Sequence, residues 1–340
     1  MSVGFGKYLK EYLQFYHISQ TEFANRLDIS QKHMNEILNG KVDITLEMAA
    51  NIEKLTDISI DFIIKSEHRK IITKYLEEKF KDNKTIEEYI KLNFCLNELK
   101  KREWVNFNDI TNPIQNYMDI IEFLKVKDLE ALENIKEKTL FKKDGDDLNK
   151  LSLWIARADE LSKNQDIREY VKENFQFLIQ DLMKLAYEKD IQIEKVQKIL
   201  NLYGIYFIVE RALSGSKVRG CFKVKGRNPA IYITQNYKAK DSFYFELFHE
   251  LGHCKSDYNE AKSKIIVEGN ENQELRADNF ALNTMIQKNI WNEILNDYSE
   301  ENLNIISSNY KIPMSFIVGR LAKTGKITYK SELYNKYKMI

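Results

Sequence analysis

Apolar residues recur every three or four positions through most of this chain, the spacing of one face of a helix. In "GKYLKEYLQFYH" Tyr8, Leu9, Tyr12, Leu13 and Tyr16 share such a face. "SQTEFANRLD" follows, with Ser19 placed as an N-cap, Glu22 three residues on as in a capping box, and Phe23, Ala24 and Leu27 facing inward. "SQKHMNEILNG" opens on a second cap, Ser30, and closes on Gly40, a residue suited to leaving a helix; "TLEMAANIEKLTD" opens on Thr45. The pattern therefore predicts four short helices with tight breaks between them. From residue 67 to about 200 it stays helical, as in "REYVKENFQFLIQDLMKLAYEKDIQIEKVQKIL", with "KKDGDD" (142–147) as the one expected loop. After residue 200 the period changes. "GIYFIVER", "RGCFKVKG" and "PAIYIT" are short β-branched or aromatic runs broken by Gly, Asn and Pro, which predicts strands of a small antiparallel sheet. Helices are expected again from about Lys240 to Lys255 and over "NQELRADNFALNTM".

The fold class expected is mainly α with a small antiparallel sheet, α+β, in three parts: 1–66, a connector and possible dimerisation region over 67–200, and 201–340. Only 12 Gly and 3 Pro in 340 residues agree with a mostly helical chain. The formal net charge of +1 gives no global attraction to nucleic acid or to an anionic membrane, so any DNA contact must come from a local motif. Cys95, Cys221 and Cys254 are odd in number and far apart, which suits free thiols in a reducing compartment. The first residues lack a basic stretch followed by an apolar one, and no apolar run approaches the roughly 20 residues that span a bilayer. A cytoplasmic location, without membrane contact, is the expectation.

Two short helices joined by a tight turn and flanked by packing helices are the layout of a helix-turn-helix DNA reader. "SQTEFANRLDISQKHMNEILNGKVDITLEMAANIEKL" resembles the Xre/HigA-type repressor and antitoxin domain. The resemblance implies that the second helix of the pair enters the major groove by its N-terminal end. By position Gln31, Lys32 and Asn35 would then reach base edges, and Gln20, Ser30 and Lys41 phosphates. Residues 1–66 hold seven basic and nine acidic side chains. With so few charges to neutralise phosphates, useful affinity calls for a homodimer on a two-fold operator in double-stranded DNA.

Five histidines occur in the chain, and two of them stand four apart in "FYFELFHELGHC". Positions i and i+4 lie on one helical face, so His249 and His253 can grip one ion, at about 2.0–2.1 Å for zinc. Glu250, one step round the helix, is placed to take a proton from the attacking water. Gly252 lets another segment come close to this helix. A third ligand is needed, and Glu274 stands at the start of the next helix with Asp278 one turn on. Two His and one Glu are a catalytic rather than a closed structural set, with Asp278 accepting a ligand histidine's other N–H. Tyr232, Tyr244 and Tyr258 are near enough in sequence to stabilise an oxyanion. Cys254 is turned about 100° away from the ligand row and is expected as a surface or half-buried thiol.

"FYFELFHELGH", Glu274 in "ELRADNFA" and the preceding "RGCFKVKGRNPAIYIT" resemble the ImmA/IrrE family of gluzincin-like metallopeptidases over about residues 200–325. The resemblance implies a zincin-like domain holding one Zn2+ per chain, with Mn2+ as the other metal such ligands serve. It also implies cleavage of a protein partner of the repressor or antitoxin kind, in phage, mobile-element or stress circuits. Two positions depart from the family pattern. Glu246 stands where Thr or Ser is usual, and its charge is expected to raise the pKa of Glu250. The helix carrying Glu274 ends in "MIQKN" rather than in small apolar residues and Pro. The alternative is an autoregulating antitoxin or repressor whose metal domain senses, or binds a toxin partner, without peptidase activity.

Overall fold

The structure, a computed structural model, describes residues 4–80, 83–107, 111–141, 147–188, 191–235 and 239–338. The chain divides into two compact units, Met1–Leu92 with Val105–Ile120 and Asn93–Trp104 with Ile121–Ile340.

The first unit opens with α1 (Phe5–Phe15), α2 (Gln20–Arg26), α3 (Gln31–Leu38), α4 (Leu46–Thr56) and α5 (Ile60–Lys79). The expected caps set these boundaries. Ser19, Ser30 and Thr45 each accept the backbone N–H three residues on, at 3.1, 3.1 and 3.2 Å. Gly40 leaves α3 with φ +66°, which costs a residue without Cβ nothing. Glu22 does not close its capping box; its carboxylate pairs with Arg26 instead. The core joins Phe5 and Leu9 to Phe23, Met34 and Ile52, all fully buried. Tyr8 and Tyr16, expected on the inner face of α1, are 39% and 57% exposed. The buried stripe is the narrower Phe5–Leu9–Leu13 row, and the tyrosines keep their hydroxyl ends wet.

Helices continue with α6 (Asn83–Phe94), α7 (Leu96–Lys101), α8 (Pro113–Leu124) and α9 (Leu129–Thr139). Of the expected 142–147 loop, residues 142–146 lie outside the described residues. Asp147 caps α10 (Leu148–Ser162), accepting the N–H groups of Asn149 and Lys150. The second unit contains a five-stranded sheet of β1 (Leu140–Phe141), β2 (Tyr206–Val209), β3 (Gly220–Lys225), β4 (Asn228–Ile233) and β5 (Ile265–Ile266), in the order β1-β5-β3-β4-β2. The three strands expected from the sequence all form, but the sheet is mixed. β3 and β4 make an antiparallel hairpin, whereas β2 runs parallel to β4. The long connection over 210–219 carries the chain past the place beside β2, and the hairpin return brings β4 there in the direction of β2.

Around the sheet pack α10, α11 (Phe175–Tyr187), α12 (Ile193–Leu202) and α13 (Lys240–Ser256), then α14 (Glu271–Met285), α15 (Lys288–Asn296), α16 (Glu300–Tyr310), α17 (Met314–Lys323) and α18 (Glu332–Tyr337). One apolar core runs from Leu182 and Leu200 through Phe207, Phe222 and Ile231 to Leu247, Leu251 and Phe316. Helices α11 and α12, read from sequence as connector, thus share the core of the sheet. Helix α13 is buried nearly all round, against β3 and β4 and against α14 and α17. No described helix is long and apolar enough to cross a membrane.

Candidate metal centre and reader helix

Two helices bring the candidate ligands together. On α13, one turn sets His249 beside His253, with Nε2 atoms 3.2 Å apart. Gly252 makes the close approach of α14 possible: a Cβ there would stand 2.8 Å from Cα of Ala277. Helix α14 begins with a full capping box, Asn270 accepting from Gln273 N–H and Gln273 Oε1 from Asn270 N–H. That box fixes the first turn, where Glu274 sits at the positive end of the helix. The Gly269 N–H donates to Glu274 Oε1 at 2.5 Å. Glu274 then turns one oxygen to each imidazole, Oε2 3.4 Å from His249 Nε2 and Oε1 3.4 Å from His253 Nε2.

The outer nitrogens are held as well. His249 Nδ1 lies 2.8 Å from Asp278 Oδ1, and His253 Nδ1 lies 2.8 Å from Asp257 Oδ2. Arg276 donates to the other oxygen of Asp257 at 2.8 Å. With each Nδ1 held by a carboxylate, both Nε2 atoms face the same point, alongside the Glu274 carboxylate. With one ligand atom from each residue, the three donors all lie within 4.8 Å of one another. Among the described residues, His249, His253 and Glu274 are the one group of three such side chains with ligand atoms within 4.8 Å. Two imidazoles and a carboxylate are a donor set that suits zinc.

Electrostatics follow from this crowding. Burial opposes charge on the imidazoles, yet the carboxylates outweigh it and lift His249 to about 10 and His253 to about 9. Glu274, despite burial, is held far below the ordinary carboxylate range by the two histidines. Glu250 moves the other way. It is 3% exposed, and burial pushes its carboxyl up to about 7 against the pull of both imidazoles, with Glu246 and Glu274 adding to the rise. The expected effect of Glu246 is present, second to burial. Glu250 Oε2 is buried with no hydrogen-bond partner among the described residues, and a Cβ on Gly220 would stand 2.3 Å from Oε1. Glycine at the start of β3 is what leaves room for this carboxylate.

Sequence reasoning placed Asp278 and missed three supports: Asp257, Arg276 and Gly220. Asp257 was within reach, four residues after His253 on the same helical row. Gly220 was not, because nothing in β3 says which side chain lies above it. Two of the three tyrosines are committed elsewhere, Tyr232 O–H donating to Asp159 at 2.7 Å and Tyr258 O–H to the Arg227 carbonyl at 2.6 Å. Tyr244 O–H is buried without a partner among the described residues. Cys254 is not a surface or half-buried thiol: it is 1% exposed, its sulfur toward Tyr170, because α13 is covered on that side too. Beside the centre opens a cleft of about 930 Å³, bordered by Glu246 and Asp278. Arg219 reaches across its mouth to Glu246 at 3.5 Å.

In the first unit all six candidate DNA-contacting side chains are exposed. Gln20 opens α2, Lys41 follows α3, and Ser30, Gln31, Lys32 and Asn35 line the cap and first turns of α3. Gln31 Nε2 donates to Thr21 Oγ1 at 3.0 Å, which ties its amide to α2; Asn35 Oδ1 accepts from Asn39 at 2.7 Å.

Residues 9–63 match the family model described as Helix-turn-helix (HTH_3), a span that begins in α1 and ends in α5. The first unit thus carries a helix-turn-helix domain of the Xre type, that of DNA-binding transcriptional regulators. Comparison with curated proteins and with solved structures gives no match.

Proposed function

We propose that this DNA-binding regulator carries, in its second unit, a zinc-dependent endopeptidase that cuts a protein partner. The observation that carries the reading is the convergence of His249, His253 and Glu274, each imidazole Nε2 3.4 Å from an oxygen of Glu274, beside a buried Glu250 oxygen with no hydrogen-bond partner among the described residues. His249, His253 and Glu274 would hold the metal, which when bound supplies a Lewis acid for the scissile carbonyl and the attacking water. Glu250 takes the proton of that water and returns it to the leaving amine. Asp278 and Asp257 keep both imidazoles in the tautomer that presents Nε2. The resemblance of 200–325 to ImmA/IrrE peptidases points to a repressor- or antitoxin-like partner. The near-balance of charge in the DNA reader points to a homodimer on its operator, and a footprint without two-fold symmetry would count against that part.

The test uses unfolded casein as probe and the zinc-loaded full chain. Glu250→Gln is expected to keep its zinc and to cleave at least about a hundredfold more slowly, the scale of general-base catalysis. Cleavage by the variant at the wild-type rate would overturn the mechanism.

A further inference from the structure

The cleft beside the centre is built from two kinds of wall. Phe245, Leu282, Met285 and Ile286 give it an apolar side, while Lys217, Arg320 and Lys323 bring positive charge and Asp241, Glu246 and Asp278 carboxyl groups. Arg320 differs from the two lysines, which are exposed and cheap to hydrate. It projects from the last turns of α17, half-buried, with its guanidinium 4.3 Å from the ring centre of Trp291. One of its terminal nitrogens caps the end of α14, donating to the carbonyls of Leu282 at 3.3 Å and Ile286 at 3.0 Å. Those two bonds use a single nitrogen of a fork that carries five N–H donors. Among the described residues no carboxylate lies within 4 Å of the guanidinium, and burial alone acts on it, pulling its pKa down. A charge taken partly out of water without a counter-ion is costly, and a carboxylate on its remaining donors would offset that cost.

We propose that Arg320 is the carboxylate-receiving group of a substrate subsite in this cleft. On the peptidase reading, on which this rests, the ligand is an extended peptide. It sets a large apolar side chain on the Phe245–Leu282–Met285 wall and a neighbouring carboxylate on the free edge of the Arg320 fork. The stack on Trp291 and the bonds to α14 fix the plane of the guanidinium, so the carboxylate is met by a preorganised pair of donors. That carboxylate is either an acidic side chain within the chain or the free C-terminus of the peptide.

Binding of four synthetic peptides to the zinc-loaded full chain in the Glu250→Gln background separates these sources without turnover. N-acetyl-Gly-Phe-Glu-Gly-amide is compared with its Gln counterpart, and N-acetyl-Gly-Phe with its C-terminal amide. In at least one pair the acid is expected to bind about ten-fold tighter or more, the worth of a hydrogen-bonded charge. The pair that discriminates names the source. Arg320→Gln abolishes the discrimination, and Arg320→Lys, which keeps the charge and protects the fold, reduces it several-fold because an ammonium cannot serve α14 and a carboxylate together. Equal binding of acid and amide in both pairs, by folded protein with its zinc, overturns the subsite and leaves the peptidase standing. An Arg320-dependent acid preference in a chain that binds no zinc and cuts no casein supports the subsite and overturns the peptidase.

Discussion

Asp241 stands in the first turn of α13, where a helix start welcomes a carboxylate, yet its Oδ1 is buried with no partner among the described residues. Burial pushes its pKa up from 3.8 to about 6 against the help of two backbone N–H groups. The folded protein therefore holds this proton more tightly than the unfolded chain does between those two values. Stability from this group is full below about pH 4 and is lost as the pH rises through 6, by roughly 3 kcal/mol for two pKa units. Asp241→Asn is thus expected to be more stable than wild type above pH 7, with the gain fading toward pH 4; denaturation curves of the pair across that range read it. A difference that does not change with pH would show that the Asp241 carboxyl is not strained by burial. At this same scale the candidate centre was legible where chemistry repeats along a helix, as in His249, Glu250, His253 and Asp278. It was illegible where space decides, as at Gly220, whose role exists only because β3 passes under Glu250.

Among elements, the contact of α13 with α14 governs the centre, since one helix brings both histidines and the other brings Glu274. Gly252 sits at the crossing. In Gly252→Ala the new Cβ would meet the backbone of Ala277 at 2.8 Å, so the helices must part. We expect a loss of about 1–3 kcal/mol in stability together with weaker zinc binding, measured by denaturation of the metal-free protein and by competition with a chelator. Unchanged affinity for zinc would mean that helix spacing does not set the position of Glu274. Cap residues made the N-terminal helices readable, because capping is local: Ser19, Ser30 and Thr45 announce α2, α3 and α4. Strand direction was not readable. Whether β2 meets β4 in parallel depends on which side of the sheet the 210–219 connection takes, and no pattern within the strands encodes it.

For the whole molecule, a helix-turn-helix domain and a candidate metal centre stand in one chain, each in its own compact unit. The helical stretch between the two motifs was the least legible part. Its apolar spacing shows helices but not their partners, and α11 and α12 prove to belong to the core of the sheet. Regulation by cleavage requires the second unit to be an enzyme rather than a scaffold, and the metal decides between these. Elemental analysis of the full chain purified without added metal, wild type beside Glu274→Ala, is the most direct measurement. The account predicts about one zinc per chain in the wild type and loss of zinc in a variant that stays folded. A wild-type protein that carries no metal and takes up none on titration with zinc would contradict it.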